Sequence, residues 1–273
     1  FSVPGRPLPA YALFLLCLTP WSVWLVRLVR SMGGAAPAAL AVQAAVVLSF
    51  TYPVQILAVH RGYWVFNQER DVLMGIAVGG VPVEEFAFYP LFLSLALLLY
   101  LLFCERTRTK HLEDLRVSRT LLGWTLLGAS GLCFALAAWV WTLRAPGNMV
   151  PPLMTWDTWA LPRYAEGGHD YGWSLTCLNA LGLNLAALYL AERHSPMQLR
   201  AIIPSTAVFF LMGLLFELLG GTRGWWVYNA QHASGAWLGP VPGENLAMYA
   251  CGVPETAVVF EFTRRLFGER QAA

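Results

Sequence analysis

Residues Arg61–Asn67 read RGYWVFN, and Arg223–Asn229, 162 positions later, read RGWWVYN. A second block follows each copy: Val81–Tyr89 reads VPVEEFAFY, and Val241–Tyr249 reads VPGENLAMY. Internal similarity at a fixed spacing indicates two diverged copies of one structural unit. Each copy brings aromatic side chains and a carboxylate to the same place. The repeat therefore predicts one functional site formed between the two copies.

The composition is that of a membrane protein. Hydrophobic residues make up 57% of the chain and charged residues 12%, with a mean hydropathy of +0.53, whereas soluble domains carry about 25% charged residues. Apolar stretches long enough to cross a bilayer recur along the chain, and no cleavable signal peptide is visible. The net charge is +2 and basic runs are absent, which argues against a nucleic-acid partner.

The apolar stretches predict an all-α protein with seven transmembrane helices. The first and second spans map onto the fifth and sixth with an offset of 162, and the third maps onto the seventh with an offset of 160. The fourth has no counterpart. We therefore expect a first three-helix repeat (1–112), a linker helix (113–145) and a second three-helix repeat (146–273). The predicted spans are 9–30, 37–60, 83–104, 119–143, 172–192, 199–220 and 243–264.

This 3+1+3 layout also predicts the orientation of the chain. A linker that crosses the membrane makes both repeats start on the same side, so they should be parallel and related by a pseudo-twofold axis along the membrane normal. Twelve Lys and Arg residues fall on the side that includes the C-terminus and six on the other. The positive-inside rule then places the C-terminus in the cytoplasm and the N-terminus outside, in a multi-pass protein of the cell inner membrane.

Neither a metal site nor a disulfide framework is expected. The five cysteines have no CxxC spacing, and no two of the five histidines share a helix face at i,i+4 spacing. A retinal protein is excluded because its Schiff base needs a lysine in the last helix, whereas the only lysine, Lys110, lies in a charged loop.

Four glutamates are the candidate catalytic residues: Glu84, Glu85, Glu217 and Glu244. Glu84-Glu85 and Glu244-Asn245 follow a proline at the start of a predicted span. Acids at a helix N-terminus could simply complement the macrodipole, but the repetition beside aromatic residues favours a functional role. Glu217 lies within the sixth span, and an ionisable residue inside a bilayer indicates function. Pairing between helices is the alternative.

Buried carboxyl groups beside aromatic rings suit acid chemistry on a hydrocarbon. A carboxyl group kept protonated by burial and by a second acid could protonate an alkene. Electron-rich rings would then stabilise the resulting carbocation, although tryptophans are also common at membrane interfaces. The candidate substrate-binding residues are Trp64, Phe66, Asn67, Phe88, Trp225, Trp226, Tyr228, Asn229, Asn245 and Glu255.

The segment Pro82-Val83-Glu84-Glu85-Phe86-Ala87-Phe88, after Trp64-Val65-Phe66, resembles the membrane-embedded lycopene cyclases. The second copy keeps Pro242 and Glu244 but has Asn245 in place of the second glutamate. The resemblance implies cyclisation of a carotenoid polyene, taken from the bilayer, to a β-ionone ring without a cofactor. A GxGxxG flavin fingerprint is indeed absent from the chain.

Two alternatives remain at this stage. The segment Glu217–Tyr228 is also similar to membrane carotenoid hydratases, in which water captures a similar cation. A 3+1+3 layout is shared by small-solute transporters as well. A transporter would be expected to carry helix-breaking prolines in both copies, whereas Pro53 and Pro90 are not mirrored in the second copy.

Overall fold

The computed structural model describes residues 9–67, 73–109, 119–143, 170–194 and 199–272. Long helices dominate this part of the chain, as the all-α prediction requires. The helices are α1 (Ala10–Met32), α2 (Ala36–His60), α3 (Val83–Thr109), α4 (Arg119–Thr142), α5 (Gly172–His194), α6 (Leu199–Thr222) and α7 (Gly243–Ala272).

Six of these helices, α1 to α6, are long and apolar enough to cross a bilayer. They indicate an integral membrane protein. The last helix, α7, is 30 residues long but carries Glu244, Glu255 and Glu261, and it is not among the six. The predicted count of seven spans therefore stays a prediction.

The element boundaries follow the internal repeat. Adding 162 to the bounds of α1 gives the bounds of α5, and α7 begins 160 residues after α3 begins. The offset changes between Asn67 and Met74, because Asn67 corresponds to Asn229 whereas Met74 corresponds to Ser234. The repeated sequence thus produces a repeated set of elements.

A short antiparallel strand pair, which the sequence analysis did not predict, joins the two copies. Strand β1 (Trp64–Phe66) pairs with β4 (Trp226–Tyr228), and Val65 lies opposite Val227. The Asn67 N–H donates to the Trp225 carbonyl at 2.9 Å, and the equivalent Asn229 N–H donates to the Tyr63 carbonyl at 2.8 Å. This register is unchanged when the two copies are exchanged, so a pseudo-twofold axis passes between Val65 and Val227.

Two further hairpins lead into α3 and α7. Strands β2 (Ala77–Val78) and β3 (Val81–Pro82) pair in the first copy, and β5 (Trp237–Leu238) and β6 (Val241–Pro242) pair in the second. In the first hairpin the turn is Gly79-Gly80, and both glycines have positive φ, 59° and 80°. Glycine allows this two-residue turn because it lacks a Cβ.

The helices pack around the pseudo-twofold axis. Helices α3 and α7 contact each other, α3 contacts α6, and α7 makes the equivalent contact with α2. Helix α1 packs on α3 and α5 packs on α7, while α4 packs on α5. The β1–β4 pair brings the C-terminal ends of α2 and α6 to the end of the bundle at which α3 and α7 begin. Both copies of the repeated motif therefore lie at the same end.

Candidate active site

A cavity of about 260 Å³ lies among α2, α3, α5, α6 and α7, next to the β1–β4 pair. Most of its lining is apolar or aromatic. The polar side chains that line it come from both copies. They are Thr51, Gln55, Glu85, Tyr89, Thr176, Asn184, Glu217, Tyr228, Asn245, Tyr249 and Glu255.

Glu217, on α6, is surrounded by hydrogen-bond donors. Its side chain is buried, with an exposure of 3%. Trp226 Nε1 donates at 3.1 Å, Asn245 Nδ2 at 2.9 Å, and the hydroxyl groups of Tyr228 and Tyr249 each donate at 2.9 Å. Four donors around one buried carboxyl group offset part of the cost of burying its charge. Glu217 thus faces the internal cavity, and its predicted catalytic role stays a prediction.

Tyr228 lies outside the membrane-spanning helices, on β4. Burial raises the pKa of its hydroxyl group well above the usual value, and the neighbouring Glu217 raises that pKa further. The phenol therefore stays neutral and donates its hydrogen bond to Glu217.

Glu85, near the start of α3, has a different environment. It is 5% exposed, and the hydroxyl group of Tyr11 donates to its Oε1 atom. The Tyr11 ring is fully buried and lies 5.4 Å from Trp225 and 6.1 Å from Phe216, centroid to centroid. Apolar rings around one donor leave the charge of Glu85 less well solvated than that of Glu217.

The same pair of positions is polar but uncharged in the second copy. Asn245 corresponds to Glu85 and Trp173 corresponds to Tyr11, and Trp173 Nε1 donates to Asn245 Oδ1 at 2.8 Å. Asn245 then bridges to Glu217 through its amide nitrogen. The two copies thus hold these side chains with the same geometry, while only the first copy places an acid there.

Glu84 and Glu244, which we predicted to be catalytic, are not among the residues that line the cavity. The Met74 N–H donates to Glu84. The equivalent Ser234 N–H donates to Glu244 Oε1 at 2.6 Å, and Ser174 Oγ donates to the same atom at 2.5 Å. Both carboxyl groups therefore accept a hydrogen bond from the backbone of the loop before their own helix, and this contact holds the loop in place. This position gives them a structural explanation, and a role in chemistry stays untested.

The predicted substrate-binding residues divide into two groups. Trp225 packs behind the cavity against Tyr11, and Asn67 and Asn229 flank the strand pair through their backbone N–H groups. Glu255 lies in the cavity wall, although its side chain is exposed. The predicted residues that line the cavity are Trp64, Phe66, Phe88, Trp226, Tyr228, Asn245 and Glu255.

Sequence reasoning missed several polar residues of the site. Tyr89 receives a hydrogen bond from Gln55, and the equivalent Tyr249 donates to Glu217. Both tyrosines close the repeated blocks Val81–Tyr89 and Val241–Tyr249, so their repetition was an available signal. Tyr11 has no such signal, because its counterpart is a tryptophan.

Apolar helices around a buried cluster of acids and aromatic rings define a membrane enzyme that acts on an apolar substrate. A family model described as Lycopene cyclase matches residues 9–103 and 171–262, and the chain belongs to this family. It is therefore a carotenoid cyclase of the isomerase type. Among the curated proteins and the solved structures, none matches the chain. The two matched segments cover most of each repeat, from α1 into α3 and from α5 into α7, and leave out α4.

Proposed function

We propose that the chain cyclises the linear end group of lycopene or a related carotenoid, with Glu85 as the acid and Glu217 as the base. The observation that carries this assignment is the unequal solvation of the two carboxyl groups. Glu85 accepts from one tyrosine among apolar rings, whereas Glu217 accepts from four donors. The less solvated group is the better proton donor, and the other is the better anion.

The reaction begins with proton transfer from Glu85 to the terminal carbon–carbon double bond. The π electrons take the proton, and a tertiary carbocation forms on the adjacent carbon. The next suitably placed double bond then supplies its electrons to close a six-membered ring, and the positive charge moves onto the ring. The rings of Trp64, Phe88 and Trp226 line the cavity and stabilise this charge through cation–π attraction.

Loss of a proton from a ring carbon completes the reaction. Glu217 accepts this proton, and the C–H electrons form the ring double bond, which we expect to give the β-ionone isomer. Protonation and deprotonation cancel, so the product is an isomer of the substrate. Tyr228 donates to Glu217, and Tyr89 and Tyr228 line the cavity together with both acids. We assign to these two hydroxyl groups the return of the proton from Glu217 to Glu85.

The test uses the purified protein in lipid vesicles that contain lycopene, with no nucleotide, flavin or metal added. We expect a ring-containing product of unchanged mass in ordinary water and, in a single turnover after equilibration in heavy water, one deuterium per ring formed. A product heavier by one water molecule would instead identify a hydratase. If chelator abolished turnover, or if bound flavin were present at stoichiometric level, the cofactor-free mechanism would be wrong.

We also propose that all seven helices cross the membrane in the 3+1+3 order, with parallel repeats and a cytoplasmic C-terminus. The position of both repeated motifs at one end of the bundle supports parallel repeats, and the distribution of Lys and Arg supports the orientation. Cysteine labelling from each side of intact inner-membrane vesicles tests this proposal. Protection of a C-terminal cysteine from reagent on the outer side is the expected result.

A further inference from the structure

The two halves of the cavity region differ in how much space their side chains leave. On one side, aromatic rings from α1, α3 and α6 stack closely. Phe216 lies 4.6 Å from both Phe14 and Phe88, centroid to centroid, and Phe92 lies 4.6 Å from Phe209. We call these five residues the aromatic wall.

The pseudo-twofold axis relates each residue of the aromatic wall to a smaller or non-aromatic residue on α5, α7 and α2. All five of these counterparts line the cavity, together with Phe88, Phe92, Phe209 and Phe216 of the aromatic wall. Ala180 also lines the cavity and corresponds to the buried Leu18. We call the five counterparts and Ala180 the open arm. In the order Phe14, Phe88, Phe92, Phe209 and Phe216, the counterparts are Thr176, Met248, Gly252, Val47 and Val54.

The open arm leads to the outside of the helix bundle. Val46, on α2, lines the cavity and is 36% exposed. Glu255, on α7, also lines the cavity and is exposed. Because α2 is one of the six helices that are long and apolar enough to cross a bilayer, the exposed part of Val46 faces lipid, which is where a hydrocarbon substrate is dissolved.

The volume of the cavity indicates how much of the substrate it encloses. Pockets that enclose a drug-sized ligand measure about 300 to 1,000 Å³, and this cavity measures about 260 Å³. A C40 polyene is larger than such a ligand. The cavity, whose wall includes the open arm, therefore encloses an end group and only the adjoining part of the polyene, and the rest of the chain must extend past the open arm into the lipid.

We infer that the open arm is the binding site for the straight polyene chain, and that the aromatic wall closes the equivalent path in the other half. This inference rests on the proposed function. It assigns substrate access to α2, α5 and α7, and it makes Thr176 and Ala180 determinants of substrate binding. One end group at a time reaches Glu85 and Glu217.

The test places side chains of the first repeat at the corresponding positions of the open arm. Thr176→Phe and Ala180→Leu copy residues that the first repeat carries at the same positions of α1. Both should raise KM for lycopene in vesicles and lower kcat/KM at least tenfold. The matched control is Leu183→Phe on the same helix, because Leu183 is 59% exposed and does not line the cavity. Its kinetics should be parental.

The outcomes separate this inference from the proposed function. If the parental protein cyclises lycopene and both variants match it in KM and kcat, the polyene lies elsewhere and the open arm is refuted. If the parental protein does not cyclise any carotenoid, the proposed function and the inference fall together. Thermal unfolding and size exclusion check each variant, and if Thr176→Phe does not fold, the smaller Ala180→Leu change decides.

Discussion

The two repeats share a backbone plan but differ in the side chains at equivalent positions of the cavity. The first repeat has Gln55 and Glu85 where the second has Glu217 and Asn245. Each repeat thus contributes one acid and one amide, and the acids occupy different positions of the repeat. A symmetric scaffold has in this way become an asymmetric site, with an acid and a base in unlike surroundings.

The largest effect on turnover should come from making position 217 the same as its counterpart, Gln55. Glu217→Gln gives the second repeat the amide that the first repeat has at Gln55. The variant loses the carboxylate that accepts the proton, and general acid–base groups contribute a factor of about 10² to 10⁴. We expect turnover to fall by that factor, measured as the initial rate of ring formation in vesicles.

The control for this variant is the same substitution at an acid outside the cavity. Glu261, on α7, forms an ion pair with Arg264 at 2.6 Å and receives a hydrogen bond from Tyr100. Glu261→Gln should keep the parental rate. Parental turnover in Glu217→Gln would show that Glu217 only links helices, as the alternative explanation of buried polar groups holds.

A smaller effect is expected for Tyr228→Phe, which copies Phe66 of the first repeat. The variant removes one of the four donors to Glu217, and a hydrogen bond to a charged group is worth about 1.5 to 3 kcal/mol. If that energy is used in the reaction, kcat should fall about 10- to 100-fold. The control is Tyr52→Phe, because Tyr52 donates to the Phe86 carbonyl and does not line the cavity, so its kcat should stay near the parental value. Equal losses in both variants would contradict a special role for the donors around Glu217.

The smallest effect on turnover is expected for Glu84→Gln, because the amide oxygen can still accept the hydrogen bond from Met74. Glu84→Leu cannot accept it, and leaving that N–H unpaired should cost about 1 to 3 kcal/mol of stability. Thermal unfolding measures this loss. A rate loss in Glu84→Gln as large as in Glu217→Gln would show that Glu84 takes part in the reaction.

The large-scale plan of the molecule was readable from the sequence because apolar length and internal similarity are strong signals. The predicted first and fifth spans, 9–30 and 172–192, lie close to α1 and α5. Glu217 was also singled out as a site residue, since an ionisable residue inside a bilayer indicates function, and it lies in the cavity wall.

Finer features depended on contacts that the sequence does not encode locally. Glu84 and Glu85 are neighbours, so a helix points them about 100° apart, and only packing decides which one meets the cavity. Strands of two or three residues are too short to show an alternating pattern. Tyr11 forms a hydrogen bond with Glu85, 74 positions away. Because the counterpart of Tyr11 is a tryptophan, the repeat gives no signal of that contact.

The exchange of side chains across the pseudo-twofold axis has an evolutionary consequence. An ancestral single repeat acting as a homodimer would have had identical halves, but neither present half could return to that state. Two first repeats would carry two copies of Glu85 and no Glu217, with Phe14, Phe88 and Phe92 on both sides. Two second repeats would carry two copies of Glu217 and no Glu85. Each repeat now depends on the other, because duplication was followed by the loss of a different acid in each copy. The two copies must therefore be inherited together.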